Sequence, residues 1–406
     1  QSLSSGKVPF YEPGLDEALL EVLASGNLRF KAEHDEDSRE ALIHLLCVGT
    51  PQSKTGLGAD TTYLFNALDA LAPFLNEDAL VAGKSTVPVG TAAELATHLR
   101  SKVDFEPHLA WNPEFLREGT ALQDSLLPDR VVIGVKEAWS EKLLRLLYEP
   151  ITNQGVPLLA VDIPTAELVK VAANSFLATK ISFINAMAEI AEVAGADAVK
   201  LAEAIGMDER IGNKFLKSGI GFGGGCLPKD IRGFVARAEE LGVGKAVGFL
   251  KEVEAINLRR RSRVIELAQE ELGDLTGRRV TILGAAFKPE TDDIRDSPAM
   301  AVAEQFWMAG AKVVIHDPKA LDNVRRVYPQ LETEDNLHAS VRGADLVVLT
   351  TEWKQYRTVD PLLLGQHVTN RLIIDGRNAL DVPTWQEANW QVIALGRNLD
   401  RIPALV

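Results

Sequence analysis

The chain has 406 residues, 46% hydrophobic and 25% charged, enough to bury more than one core, so an ordinary globular protein of two or three domains is expected. Acidic residues outnumber basic ones 57 to 43, and the resulting formal charge of −14 opposes extended contact with nucleic acid or an anionic membrane, leaving room for a local basic pocket. No apolar run approaches the roughly 20 residues that span a bilayer, and the first ten residues lack the apolar core of a secretory signal, so the cytoplasm is the expected compartment.

The chain opens on Gln1, and its first element is a turn and helix over residues 11–23 with no strand ahead of it, so a segment upstream is expected. Strand-like runs then follow at LIHLLCVG, ALVAGKSTV, PHLAWNP and RVVIGV. Helical patterns over 62–75, 92–99 and 140–148 alternate with them, the signature of a wound α/β sheet. Residues 165–272 read as helical, with a first helix over about 165–193 and a second over about 247–272 ending near Gly273. A second α/β pattern starts at Arg278 with RRVTILGAAF, AKVVIHDP, ADLVVLTTE and RLIIDGRN. Two wound sheets joined by a helical region are the expected architecture.

Two cysteines exclude a disulfide framework. Cys47 lies in an apolar run, where a small buried hydrophobe is the natural reading. Cys226 closes KFLKSGIGFGGGC, with glycines at 219, 221, 223, 224 and 225. Such a loop can wrap a ligand with its backbone amides, and the interleaved Phe215, Ile220 and Phe222 argue against a plain linker. A thiolate nucleophile wants positive charge or helix-terminal amides, which Lys229 and a helix starting at Pro228 can supply, while Asp230 can hold a water; the lesser alternative is that the pair only caps and solvates the helix.

Lys170 and Asn174 stand four apart on an otherwise apolar helix face, so they either sit at its edge or aim into a polar pocket, where a cation and an amide would serve an oxyanion. Polar residues also collect at strand ends, in VGTP (48–51), KSTVPVGT (84–91) and WNPEFLREGTA (111–121). Glu114 and Glu118 in the last stretch suit either a helix dipole at a helix start or a base that activates water.

The strings STVPVGT, NPEFLREG with PDRVVIG, AANSFLATKISFIN, RIGNKFLKSGIGFGGGCLPKD and FKPETDDIRDSPA, in this order, resemble the signature blocks of the UDP-glucose/GDP-mannose dehydrogenase family. The resemblance runs from YEPGLDEAL to DGRN at Asp375. It implies two Rossmann-like doubly wound sheets joined by a central helical region, over residues 1–164, 165–275 and 276–406. In that family a strand, a GxGxxG turn and a second strand open the first sheet, and none of these precedes the first helix in this sequence. GAAFKP at Gly284 is at best a distant echo of the glycine turn.

The activity implied is oxidation of a sugar-nucleotide C6 alcohol to the acid with two NAD and no released aldehyde. By the matched motifs, Cys226 would attack the aldehyde, Lys170 and Asn174 would stabilise the oxyanion, Asp230 and Thr86 would position water, and Glu114 or Glu118 would serve as acid/base. The cofactor contacts implied are Gly49, Thr50, Thr86, Glu118 and Arg295. Around the sugar, Glu114, Phe115, Leu116, Lys170 and Asn174 are implied. The nucleotide falls to Lys214, Phe215, Gly219, Gly223, Lys288 and Arg377. The family also implies a homodimer through the central helices, in which Arg261, with Arg260 close behind, reaches the partner's substrate; from its residues alone, the run 259–263 is equally a solvated helix face. No metal is implied. The Lys229–Asp230 pair resembles the glucose and mannose branches and favours UDP-glucose, with GDP-mannose second. A nucleotide-sugar binding protein without catalysis and a thiol redox sensor are the readings from other classes.

Overall fold

The structure is a computed structural model and describes residues 2–54 and 56–399. Its chain folds as two compact units, one formed by residues up to Ser175 with Lys229–Gly248, the other by Phe176–Pro228 with Phe249 onward.

The first unit holds a five-stranded sheet in the order β1-β2-β3-β4-β5: β1 Ile43–Leu46, β2 Leu80–Gly83, β3 His108–Trp111, β4 Val131–Gly134 and β5 Leu158–Val161. The first three strands are parallel, with Ile43 opposite Leu80 and Leu80 opposite His108; β4 meets β3 antiparallel at Trp111 and Gly134 and runs parallel to β5. Side chains alternate between the faces. Val81, Trp111 and Val132 meet one helical layer, while Leu80, Ala82, Ala110 and Ile133 meet Leu144 on the other side. The helices of the first layer, Thr62–Leu71 and Thr91–Arg100, bury Leu64, Leu68, Leu71 and Ala92, Leu95, Leu99, the spacing of one helix face. Gly83 faces the ring of Trp111, where a Cβ would fall 2.1 Å from it, so the strand admits no side chain there.

One expectation needs correction, and one strand went unexpected. Cys47 is exposed rather than buried, because β1 lies at the sheet edge among the described residues and only Leu46 of it is buried. Strand β5 carries no clear sequence signal; its half-exposed LLAV has neither the continuous apolar run of a central strand nor a clean alternation.

The second unit holds a six-stranded, wholly parallel sheet in the order β11-β10-β9-β6-β7-β8. Strands β6 Arg279–Leu283, β7 Lys312–His316, β9 Leu346–Leu349 and β10 Leu372–Asp375 are the four apolar runs of the sequence, buried on both faces as parallel strands with helices above and below must be. Strands β8 Glu332–Thr333 and β11 Gln391–Ala394 lie at the two edges and escaped the pattern.

A long helix, Ile163–Ala194, begins in the first unit and ends in the second. Leu227–Glu240 starts immediately after Cys226, and Phe249–Leu272 is stopped by Gly273 at φ 69°. Among the described residues no helix is long and apolar enough to cross a membrane.

Candidate active site

In the first unit the loops that follow β1, β2 and β3 lie at the carboxyl ends of parallel strands, where wound sheets receive ligands. The Thr50 hydroxyl donates to the Thr86 carbonyl at 2.6 Å and the Ser85 hydroxyl to the Val48 carbonyl at 2.6 Å, stitching VGTP to KSTVPVGT. A side chain at Gly49 would meet nothing within 4 Å, so another backbone or a ligand can approach there.

Lys170 and Asn174 are both buried, so of their two sequence readings the polar interior is the one observed. The Lys170 ammonium stands 3.1 Å from Glu114 Oε1, and Glu114 Oε2 accepts the Leu116 N–H at 2.7 Å. The Phe115 ring has Lys170 Nζ 5.6 Å from its centre and the Arg130 guanidinium at 4.0 Å, two cations against one ring. One helical turn beyond, Asn174 Nδ2 donates to the buried Asp230 Oδ2 at 2.6 Å, and Lys229 Nζ lies 2.8 Å from the other oxygen. Asp230 and Thr86 line one small cavity, of about 20 Å³, with Val171, Lys229 and Arg237. That is room for a single water, which needs roughly 10–15 Å³. Glu114 and Glu118 do not open a helix; the next one begins at Ala121, and both sit in the loop before it, Glu118 half-buried and Leu116 exposed.

In the second unit the glycine loop is neither a linker nor an open cradle. Four of its N–H groups are taken by the protein's own acceptors: Gly219 by Asn185 Oδ1 at 2.9 Å, Ile220 by the Gly376 carbonyl at 2.8 Å, Phe222 by Asn257 Oδ1 at 2.7 Å and Gly224 by the Arg295 carbonyl at 3.0 Å. The glycines are there for close approach. A Cβ would fall 2.5 Å from Gly376 O at Gly219, 2.1 Å from Asn257 Oδ1 at Gly221 and 2.3 Å from Asp296 O at Gly223. The amides at 219, 220, 222 and 224 therefore do not wrap a ligand, contrary to the sequence reading.

Arg377 is likewise directed inward. It donates to the carbonyls of Thr350 at 2.7 Å, Gly221 at 2.8 Å and Phe287 at 3.1 Å, and burial pushes its guanidinium below its ordinary value. Arg261 is buried within its own chain and donates to the Phe222 carbonyl at 3.1 Å. Arg260 is buried too, and is bonded to Glu192 at 2.9 Å. Arg295, expected at the cofactor, belongs to the second unit, is bonded to Asp293 and abuts Gly225. Lys214 and Phe215 are exposed, Phe215 at φ 62°, and Lys288 lies 5.5 Å from the centre of the Phe287 ring. Cys226 is exposed.

Asn185 and Asn257, which brace the glycine loop, were not anticipated. The signal was of the kind that exposed Lys170, an amide on an otherwise apolar helix stretch, in SFINAM and EAINL.

Two wound α/β units, one with polar strand-end loops beside a buried lysine and carboxylate pair, define a nucleotide-dependent enzyme. Comparison with known proteins makes this particular. Residues 1–152 match the NAD binding domain of the UDP-glucose/GDP-mannose dehydrogenase family, 164–259 its central domain and 281–382 its UDP binding domain. The chain belongs to this family, and its cofactor is NAD. It is 36% identical to the UDP-glucose 6-dehydrogenase of Rickettsia felis, over 98% of this chain and 88% of that one. With the enzyme of the same name from Pseudomonas aeruginosa the identity is 38%, over 97% and 89%. Among solved structures, a UDP-glucose dehydrogenase from Pyrobaculum islandicum superposes with a TM-score of 0.89 at 35% identity, covering 98% of this chain and 89% of that one.

Proposed function

We propose that the chain oxidises the C6 alcohol of UDP-glucose to the carboxylate, giving UDP-glucuronate, through a thiohemiacetal and a thioester on Cys226. The observation that carries this reading is the buried Asn174–Asp230 bond of 2.6 Å one helical turn from Lys170, with Asp230 only four residues beyond the cysteine. The curated relatives that this chain matches bear the name UDP-glucose 6-dehydrogenase, which supports the choice of sugar nucleotide. The open backbone at Gly49, the buried Thr50 and the half-buried Thr86 fit the cofactor, and these with Glu118 would hold it.

NAD, when bound, accepts the hydride that leaves carbon six in each of the two oxidations. The protein's own groups do the rest. Lys170 lowers the energy of the oxygen as it gains charge, with Asn174 donating to the same atom, and Glu114 takes the alcohol proton while Lys170 holds it in place. The Cys226 thiolate adds to the aldehyde carbon and the oxygen gains a proton, forming the thiohemiacetal. After loss of the second hydride and that proton the carbon is a thioester. Water held at Thr86 and Asp230 adds to it, the carbon–sulfur bond breaks, and the thiol and the acid are released. Overall one alcohol, two NAD and one water give one carboxylate, two NADH and three protons.

The helix Ile163–Ala194 leaves Phe176, Phe183 and Ile190 67%, 49% and 59% exposed at intervals of seven residues, a stripe suited to a second copy of the chain and the support for a homodimer. Neither cysteine is in a disulfide, which accords with a reducing cytoplasm.

The purified full-length protein, supplied with UDP-glucose and NAD, is expected to form two NADH per sugar, with a Cys226 acyl adduct in rapidly quenched samples. Turnover of GDP-mannose alone would replace the substrate. Binding without turnover of any sugar nucleotide would replace the enzyme by a binding protein. Cys226→Ala should abolish acid formation and retain some oxidation to the aldehyde.

A further inference from the structure

The two loops that bear Thr86 and Glu114 end in the same way. After KSTVPV, the N–H groups of Gly90 and Ala92 donate to the two oxygens of Glu167 at 2.8 and 2.7 Å. After NPEFLRE, the N–H groups of Gly119 and Ala121 donate to the two oxygens of Glu12 at 2.7 and 2.7 Å. Both glutamates are buried and both come from far along the chain. A carboxylate that spans two amides at positions i and i+2 fixes the direction in which the chain enters the helix, because ionised acceptors at a helix start are held by both its orphan donors and its dipole.

The first clamp is tied to the proposed chemistry at both ends. Glu167 lies one turn before Lys170 on the same helix, so the helix that presents the ammonium also fixes the loop. From the opposite side Arg237, two turns beyond Asp230, donates to the Val89 carbonyl at 2.9 Å, and a Cβ on Gly90 would lie 3.0 Å from its Nη2. Thr86 thus meets Asp230 across the small cavity because its loop is fastened to the helix of each. Glu12 does the same for the loop of Glu114 from the start of the chain.

We infer that Glu167 and Glu12 are positioning residues: Glu167 sets Thr86 against Asp230 for hydrolysis of the thioester, and Glu12 sets Glu114 for the oxidation steps. This rests on the reading of the reaction given above. Neither glutamate touches the reacting atoms, so replacing either should alter kcat rather than substrate affinity. Glutamine keeps the side chain's size but turns an NH2 group against one of the two amides.

Steady-state NADH formation and rapid-quench mass spectrometry on the full-length wild type, Glu167→Gln and Glu12→Gln test it. In Glu167→Gln, kcat is expected to fall about tenfold to a hundredfold, the loss that a misplacement of about 1 Å brings, with the KM for UDP-glucose and NAD changed less than about threefold. The Cys226 acyl adduct should accumulate in this variant. In Glu12→Gln a similar loss should appear in the first turnover, with no adduct. A clamp of purely structural importance would lower the melting midpoint and the folded fraction, and leave kcat per folded molecule and adduct level at wild-type values in both variants; that result overturns the inference. If Glu167→Gln does not fold, Arg237→Met, which removes the milder second tie, should show the same adduct with a smaller loss, and wild-type behaviour there would also overturn it. A wild type that forms no NADH from UDP-glucose would sink the functional reading instead, a separate outcome.

Discussion

The loops of the first unit and the glycine loop of the second are both held firmly, by opposite means. In the first, charged side chains do the holding: Lys170 with Glu114, Asp230 with Asn174 and Lys229, and two glutamates on helix-start amides. In the second, neutral amides and backbone carbonyls do it, with Asn185, Asn257 and the inward-turned Arg377 as the ties, and glycines allow the strands of chain to touch. A charge whose partner keeps contact with solvent, as Glu114 does beside Lys170, can be removed with little cost to folding. Backbone packed against backbone cannot.

The largest effect expected is on rate. Lys170→Met should lower kcat about 10²- to 10³-fold, the loss typical of removing one oxyanion donor. The melting midpoint should hardly move, because Glu114 is partly solvated and loses one partner only. Stopped-flow NADH formation and a thermal melt on the same sample check both; a melt lowered as severely as the rate would erase the difference between the units.

Next in size is a stability effect in the second unit. Gly221→Ala places a Cβ 2.1 Å from Asn257 Oδ1 at φ 90°, so overpacking and backbone strain add, and the cost should be about 3 kcal/mol. Denaturant unfolding measures it. A smaller loss, about 1–3 kcal/mol, is expected for Asn257→Leu, which leaves the buried Phe222 N–H without its acceptor. Were either variant to unfold at the wild-type denaturant concentration, the loop would be the loose ligand cradle that its glycines suggested.

The same difference explains what the sequence revealed. Among the described residues, apolar runs located eight of the eleven strands, since β1 to β4 and the four central strands of the second sheet are what periodicity detects. The edges β5, β8 and β11 lack the signal because half of each is solvent-facing or the strand is too short. Lys170 and Asn174 were legible as polar residues on an apolar face. Glu12 and Glu167 were not, because their meaning lies in amides 107 and 77 residues away, and no local pattern marks a carboxylate whose partner is a backbone N–H. Arg261 and Arg377 looked ready for a phosphate, yet within this chain Arg377 donates to three carbonyls and Arg261 to one, a choice that composition cannot record.

The smallest effect expected is one of sign. Glu192, in the second unit, is raised by burial, but the charge of Arg260 and hydrogen bonds from Arg260, Arg263 and the Gly396 N–H outweigh this and hold it below its ordinary value of 4.5. Its folded form binds a proton less readily than its unfolded form, so its contribution is fully present above 4.5 and is lost as pH falls through the lowered value. Glu167, in the first unit, is shifted the other way: burial raises it above 4.5 despite the amides of Gly90 and Ala92. The folded protein then binds this proton more readily than the unfolded chain does, so this contribution is present below 4.5 and is lost as pH rises through the raised value. Melting midpoints of the wild type, Glu192→Gln and Glu167→Gln from pH 4 to 7 should therefore diverge in opposite directions, the first substitution costing most near neutrality and the second relieving a burden that grows toward neutrality. Parallel curves for the two variants would mean that the carboxylates of the two units are held by the same kind of force.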